Sequence, residues 1–151
     1  MASSKNSAMK TGTALEAQLG FALYSASLAM TKAYKPFLDR LGLTYPQYLA
    51  MLVLWEADDV PVSHLGTRLG LDSGTLTPLL KRLENMGLLA RRRGDDDERQ
   101  VFIELTPRGV SLKREARLVP SQVLHASGQT ADEQTALRAQ LLALRDALNE
   151  A

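Results

Sequence analysis

Cysteine is absent from all 151 residues. That excludes a disulfide, a thiolate nucleophile and a cysteine-based metal knuckle, and it leaves the redox character of the compartment unread. Imidazoles are scarce: His64 and His125 are the two. Neither stands in an order that supports Ser-His-Asp chemistry, and the chain holds no phosphate loop, zinc spacing or recognisable carboxylate pair. No catalytic residue, metal or cofactor is therefore expected, and the enzyme class drops out. Long hydrophobic runs are missing too. Nothing approaches the roughly 18 apolar residues that cross a bilayer, and the first five residues lack the apolar core of a secretory signal. The expectation is a cytoplasmic protein with no membrane partner. An excess of charge of one sign is also lacking, since 18 Lys and Arg face 17 Asp and Glu for a net charge of +1. Any binding to nucleic acid must then come from a local basic patch rather than from the sum.

What is present is enough for one domain with a buried core, at 45% hydrophobic residues. Residues 1–13 are small and polar and read as a flexible leader, ahead of a single domain over 14–151. Apolar side chains at Leu15, Leu19, Ala22, Ala26, Met30, Ala33 and Phe37 recur at steps of three and four, which predicts a long amphipathic helix closed by Gly42. Thr44 with Gln47 three residues on forms a capping box, and Pro46 fits the first turn of a second helix running to about Ala57. Val62, Leu65 and Leu69 mark a third helix. Leu76, Leu79, Leu80, Leu83 and Met86 mark a fourth, stopped by Gly87, with a turn at Gly70-Leu71-Asp72 between them. The segment from Leu88 through the polar Gly94-Asp95-Asp96-Asp97-Glu98 to Leu105 reads as a β-hairpin with a charged tip. Thr106-Pro107 opens another helix, and Leu137, Leu141, Leu144 and Leu148 give the last one an apolar stripe that needs a partner.

Helix, turn, helix and hairpin in that order predict a mainly α fold with a small β-hairpin wing, a winged helix-turn-helix whose second helix fits a DNA major groove. With its leucines turned inward, that helix presents Ser73, Thr75, Thr77, Lys81, Arg82 and Asn85. Short hydroxyls can reach bases and the cations can neutralise phosphates, although a merely solvated face reads the same way. Pro78 removes one backbone donor and leaves the first turn of this helix open to loosening. In the wing, Arg92 and Arg99 are candidate DNA contacts. Asp97 is placed to hold Arg99 in one pose and so reduce the entropy lost on binding; the competing reading is an exposed hairpin laced by weak ion pairs.

Residues 18–48, from Gln18-Leu19-Gly20-Phe21-Ala22-Leu23-Tyr24 through Tyr34-Lys35-Pro36 to Thr44-Tyr45-Pro46-Gln47-Tyr48, resemble the sensing segment of the organic-hydroperoxide-responsive branch of the MarR transcriptional regulators. Leu71 to Glu84 is similar to the recognition helix of that branch, and Asp97-Glu98-Arg99 followed by Leu105-Thr106-Pro107-Arg108-Gly109 is similar to its wing and wing exit. The resemblance covers roughly residues 15–145. It implies a homodimer joined through its N- and C-terminal helices (residues 14–42 and 107–151), with the winged helix-turn-helix at 44–106. It also implies binding to an inverted-repeat operator in double-stranded DNA, with the two recognition helices about 34 Å apart, most simply as a repressor. In that branch a reactive cysteine stands at the position of Gly20, hydrogen-bonded to tyrosines that correspond to Tyr24, Tyr34 and Tyr45, and His125 takes the place of a second cysteine found in many members. Both sulfur positions are empty here, so sulfenic acid and disulfide chemistry are unattainable.

Three accounts of the empty position stand side by side: a pocket at Gly20, Tyr24, Tyr34 and Tyr45 for a small aromatic or phenolic ligand, an unswitched repressor whose tyrosines only pack, and a deliberately cysteine-free form. Glycine inside a helix costs about 1 kcal/mol relative to alanine, which favours a spatial reason for Gly20. A winged helix serving purely as a protein-interaction module is the alternative from another class. The absence of sulfur nucleophiles yields one expectation. Organic hydroperoxide, at concentrations that inactivate a cysteine-bearing relative, leaves DNA binding by this chain intact in a gel-shift assay; release accompanied by oxidation at Met30 or Met51 in mass spectra contradicts it.

Overall fold

A computed structural model describes residues 12–151; the expected leader lies outside them except for Gly12 and Thr13. The elements are α1 (Leu19–Asp39), α2 (Tyr45–Glu56), β1 (Val60–Pro61), α3 (Val62–Leu69), α4 (Ser73–Asn85), β2 (Leu89–Arg93), β3 (Val101–Leu105), α5 (Pro107–Ala116), α6 (Val119–Ser127) and α7 (Ala131–Glu150). The sheet is antiparallel in the order β1-β3-β2, with Val60 opposite Ile103 and Arg92 opposite Phe102.

Several boundaries are set by the local chemistry the sequence announces. At α2 the Thr44 hydroxyl accepts from the Gln47 N–H at 3.4 Å while the Gln47 side chain accepts from the Thr44 N–H at 3.0 Å, closing the capping box. Thr106 caps α5 through the Gly109 N–H and also donates to the Gly87 carbonyl at 2.6 Å, so one hydroxyl ties the end of the wing to the end of α4. Gly87 follows α4 at φ +76°, the left-handed conformation that ends a helix at least cost to glycine. Pro78 sits on the exposed side of α4, and the helix runs through it without interruption.

Three features depart from expectation. The first helix starts at Leu19 rather than Leu15, because a short 3-10 turn at Leu15–Ala17 leads into an extended Gln18, and it ends at Asp39, three residues before Gly42. A third strand, β1, adds to the expected hairpin; two residues are too few to show alternation, and Pro61 is tolerated because β1 lies at the sheet edge. The segment after Thr106 folds as three helices, and α6 packs on α1 and contributes Val119 and Val123 to the core.

The core joins α2, α3, α4 and the sheet through Met51, Leu54, Leu65, Leu76, Leu80, Leu83 and Ile103, all at most 1% exposed. Among the described glycines Gly109 has the tightest surroundings: a Cβ there would collide with the Leu88 carbonyl, so only glycine lets α5 lie against the start of the wing. In contrast, α7 buries no residue and α1 buries only Leu38, leaving Leu19, Leu28, Met30, Leu141 and Leu148 between 40% and 62% exposed. No helix among the described residues is long and apolar enough to cross a membrane. Truncating Leu54, which is fully buried, to Ala is expected to cost roughly 2–5 kcal/mol, read as a lowered midpoint in chemical denaturation.

Candidate nucleic-acid interface

The geometry of α4 starts at its cap. The Asp72 carboxylate accepts the Thr75 N–H at 2.8 Å, and that bond holds its pKa below the ordinary carboxylate value. Leu76, Leu79, Leu80 and Leu83 face the core, so the helix must present Ser73, Thr75, Thr77, Lys81, Arg82 and Asn85 to solvent, and all six are exposed. Lys81 and Arg82 form no salt bridge among the described residues, so their charges remain free for an anionic partner.

Of the wing arginines, only one projects freely. Arg91 is tied back to α4: its guanidinium lies 3.0 Å from the Glu84 carboxylate, which also accepts the Arg91 backbone N–H at 3.2 Å and is held below its usual pKa by this side chain. Arg93 donates to the Glu98 carbonyl at 3.0 Å. Arg99 extends from the tip with its side chain 92% exposed, yet its pose is fixed, since Asp97 Oδ1 accepts both the Arg99 backbone N–H at 3.0 Å and Nε at 3.2 Å. Those bonds, the backbone one foremost, hold Asp97 below the usual carboxylate range. Arg92 is the departure from expectation. Its Nη2 donates to Asp59 at 2.7 and 2.9 Å and its guanidinium lies 4.6 Å over the Phe102 ring, so its charge is spent between the wing and the segment that precedes β1, and the structure does not bring it to the exposed surface of α4.

The expected ligand residues are divided by helix geometry. Gly20 and Tyr34 share α1 and lie 14 positions apart, about 21 Å along the axis, and Tyr24 to Tyr34 spans about 15 Å. A Cβ on Gly20 would meet no atom within 4 Å, and Tyr24 is 64% exposed. One chain therefore does not unite Gly20 and Tyr24 with Tyr34 and Tyr45. Tyr34 and Tyr45 instead stack with Tyr48, at centroid distances of 4.7 and 5.8 Å from Tyr34, and Tyr48 meets Trp55 edge-on at 6.5 Å. Burial, followed by the neighbouring phenols, pushes the Tyr34 pKa up to about 12, and burial raises Tyr45 and Tyr48 as well. His125 is exposed near the end of α6.

The concave site that the sequence reading passed over is a crevice of about 780 Å³ between α2 and α5–α6, with Tyr48, Leu52, Trp55 and Val110 as apolar walls and Lys113, Arg114 and Arg117 at its rim. Glu56, its one carboxylate, is already paired with Arg68 at 2.8 Å. The spacing of Tyr48, Leu52 and Trp55 at i, i+4 and i+7 marks one face of α2, but nothing in the sequence shows that the cations of α5 stand opposite.

A profile described as transcriptional regulator SarA/Rot matches residues 32–116. The organic hydroperoxide resistance transcriptional regulator of Bacillus subtilis is 48% identical over 136 residues, which covers 90% of this chain and 92% of that protein. The HTH-type transcriptional regulator TtmR of Methylorubrum extorquens is 50% identical over 89% of this chain and 69% of its own length. Among solved structures, AbfR of Staphylococcus epidermidis superposes with a TM-score of 0.75 at 36% identity, covering 91% of this chain and 95% of AbfR. Reduced AbfR bound to DNA gives a TM-score of 0.73 over 89% and 94%.

The tyrosine cluster carries a pH consequence. An unfolded phenol ionises near 10, whereas Tyr34 in the fold resists ionisation until about 12. Between those values the unfolded chain loses the proton first, so stability falls as pH rises through the window. Denaturant titrations across it should show a shallower fall in Tyr34→Phe than in the parent chain.

Proposed function

Because this chain belongs to the MarR family of transcriptional regulators, we propose that it binds double-stranded operator DNA as a homodimer and represses transcription from an inverted repeat. The observation that carries this reading is the pairing of the exposed hydroxyl and cationic face of α4 with the fixed, outward Arg99 of the wing. In a major groove, Ser73, Thr75 and Thr77 at the helix start approach base edges and phosphates, while Lys81 and Arg82 neutralise backbone charge. Arg99, preset by Asp97, enters the neighbouring minor groove, where a narrow, electronegative channel favours a guanidinium. Arg92 serves elsewhere, tying the wing to Asp59.

In this reading residues 14–42 and 107–151 join two copies and residues 44–106 hold the DNA-reading unit. The bare leucines of α1 and α7 support the association, because an apolar stripe of this length is covered in a stable assembly. The protein then works in the cytoplasm, where its operator lies. The switch uses no cysteine. A small aromatic or phenolic acid suits the crevice: its ring lies on Trp55 and Leu52, and its carboxylate meets Lys113, Arg114 or Arg117. A pocket uniting Gly20 and Tyr24 with Tyr34 and Tyr45 requires two protomers.

Replacing Arg99 with Ala should weaken operator affinity while leaving the dimer folded, and should reduce the magnitude of the salt slope by about one unit. Thr75→Ala and Thr77→Ala should alter preference among operator variants more than affinity for random duplex. Gel-shift titrations over a salt series read both; unchanged affinity and slope for Arg99→Ala would remove the wing assignment, and a salt-independent complex would favour a protein-interaction module.

A further inference from the structure

Between α2 and β1 the chain makes a three-residue elbow, Ala57-Asp58-Asp59, whose two carboxylates are both spent on the wing. Asp58 Oδ1 accepts the N–H of Leu105, the last residue of β3, at 2.8 Å, and the N–H of Asp59, also at 2.8 Å. Asp59 receives Arg92, the fourth of the five residues of β2, on both of its oxygens, and Arg92 in turn covers Phe102 of β3. The elbow thus grips both long strands of the hairpin, β3 at its base end through Leu105 and β2 one pair short of the tip through Arg92. Its backbone is unusual as well: Asp59 is the only non-glycine residue with positive φ among the described residues, at +55°. Aspartate tolerates that region better than most side chains, but the conformation still costs free energy and persists where surrounding contacts enforce it. Here the Arg92 pair and the Asp58 hydrogen bonds supply the enforcement. Glu84 adds a brace from the opposite side by holding Arg91 of β2 to α4, so the two strands are clamped from α2 and from α4 while only the tip, with Arg99, stays free.

We propose that Asp59 and Arg92 are positioning residues for DNA recognition: their ion pair fixes the angle of the wing against α2 and so determines whether Arg99 reaches its groove. This rests on the DNA-binding reading above. Arg92 makes no contact with DNA in it; the pair acts through the strands, and its loss lets the hairpin swing without unfolding the core.

The test is a double-mutant cycle between the elbow and the wing tip, using a duplex enriched from a random-sequence pool by the wild-type protein. Asp59→Asn keeps a side chain that accepts positive φ and removes the charge. It should weaken binding by about fivefold, the size of one exposed ion pair, with an unaltered melting temperature and dimer, and it should flatten the salt slope as Arg99→Ala does. The double variant should bind no more weakly than Arg99→Ala alone, because both changes remove the same contact. Arg92→Gln breaks the pair from its other side and should reproduce these results, which keeps the test sound if Asp59→Asn folds poorly. Additive losses, or tighter binding with a steeper slope on Asp59→Asn from a released Arg92 reaching phosphate, overturn the proposal and leave the DNA reading standing. Failure of the wild-type protein to enrich or bind any duplex overturns both.

Discussion

The burial of one leucine face on α4 is the constraint from which the remaining arrangement follows. Leu76, Leu80 and Leu83 are at most 1% exposed, locked against the same core as Leu54 and Leu65. A helix held on that side has its rotation about its own axis fixed, and with it the direction of every other side chain it carries. The hydroxyls at Ser73, Thr75 and Thr77 are therefore aimed first by hydrophobic packing on the far side of the helix. The Asp72 cap then fixes where the helix begins, and Gly87 where it ends, so both position and phase of the presented face are determined.

The same logic applied to α1 and α7 gives an unfinished structure. Their apolar side chains have the right periodicity for burial, yet a single chain offers almost nothing to bury them, and Leu19 and Leu148 stay more than 60% exposed. Folding and association are then coupled: the core around α2–α4 is complete within one chain, while the outer helices gain most of their stabilisation from a second surface.

Much of this was legible in the sequence because it depends on neighbours a few residues apart. The Thr44–Gln47 capping box, the Thr106-Pro107 helix start, the Gly87 stop and the leucine period of α4 are local signals, and each matches the observed element. The Asp97–Arg99 pairing spans two positions and was equally readable. What escaped is non-local. Arg92 looked like its neighbours in an arginine run, and its pairing with Asp59 bridges 33 positions. The crevice sets residues of α2 against cations more than fifty positions later. Gly20 and Tyr34 suggested one pocket because the family resemblance groups them, whereas the rise of a continuous helix keeps them far apart within one chain.

Trp55 is the single tryptophan of the chain, and its place gives the molecule an optical reporter of its own. The indole forms part of the crevice wall and donates through Nε1 to the Gly109 carbonyl at 2.9 Å, at the point where the wing passes into α5. Tyr48 lies against its edge. Emission from one buried-edge indole is sensitive to solvent access, to a quencher stacked upon it and to the loss of that hydrogen bond. Filling of the crevice and displacement of the wing exit therefore converge on the same chromophore, and unlabelled protein can be followed in real time by its own fluorescence.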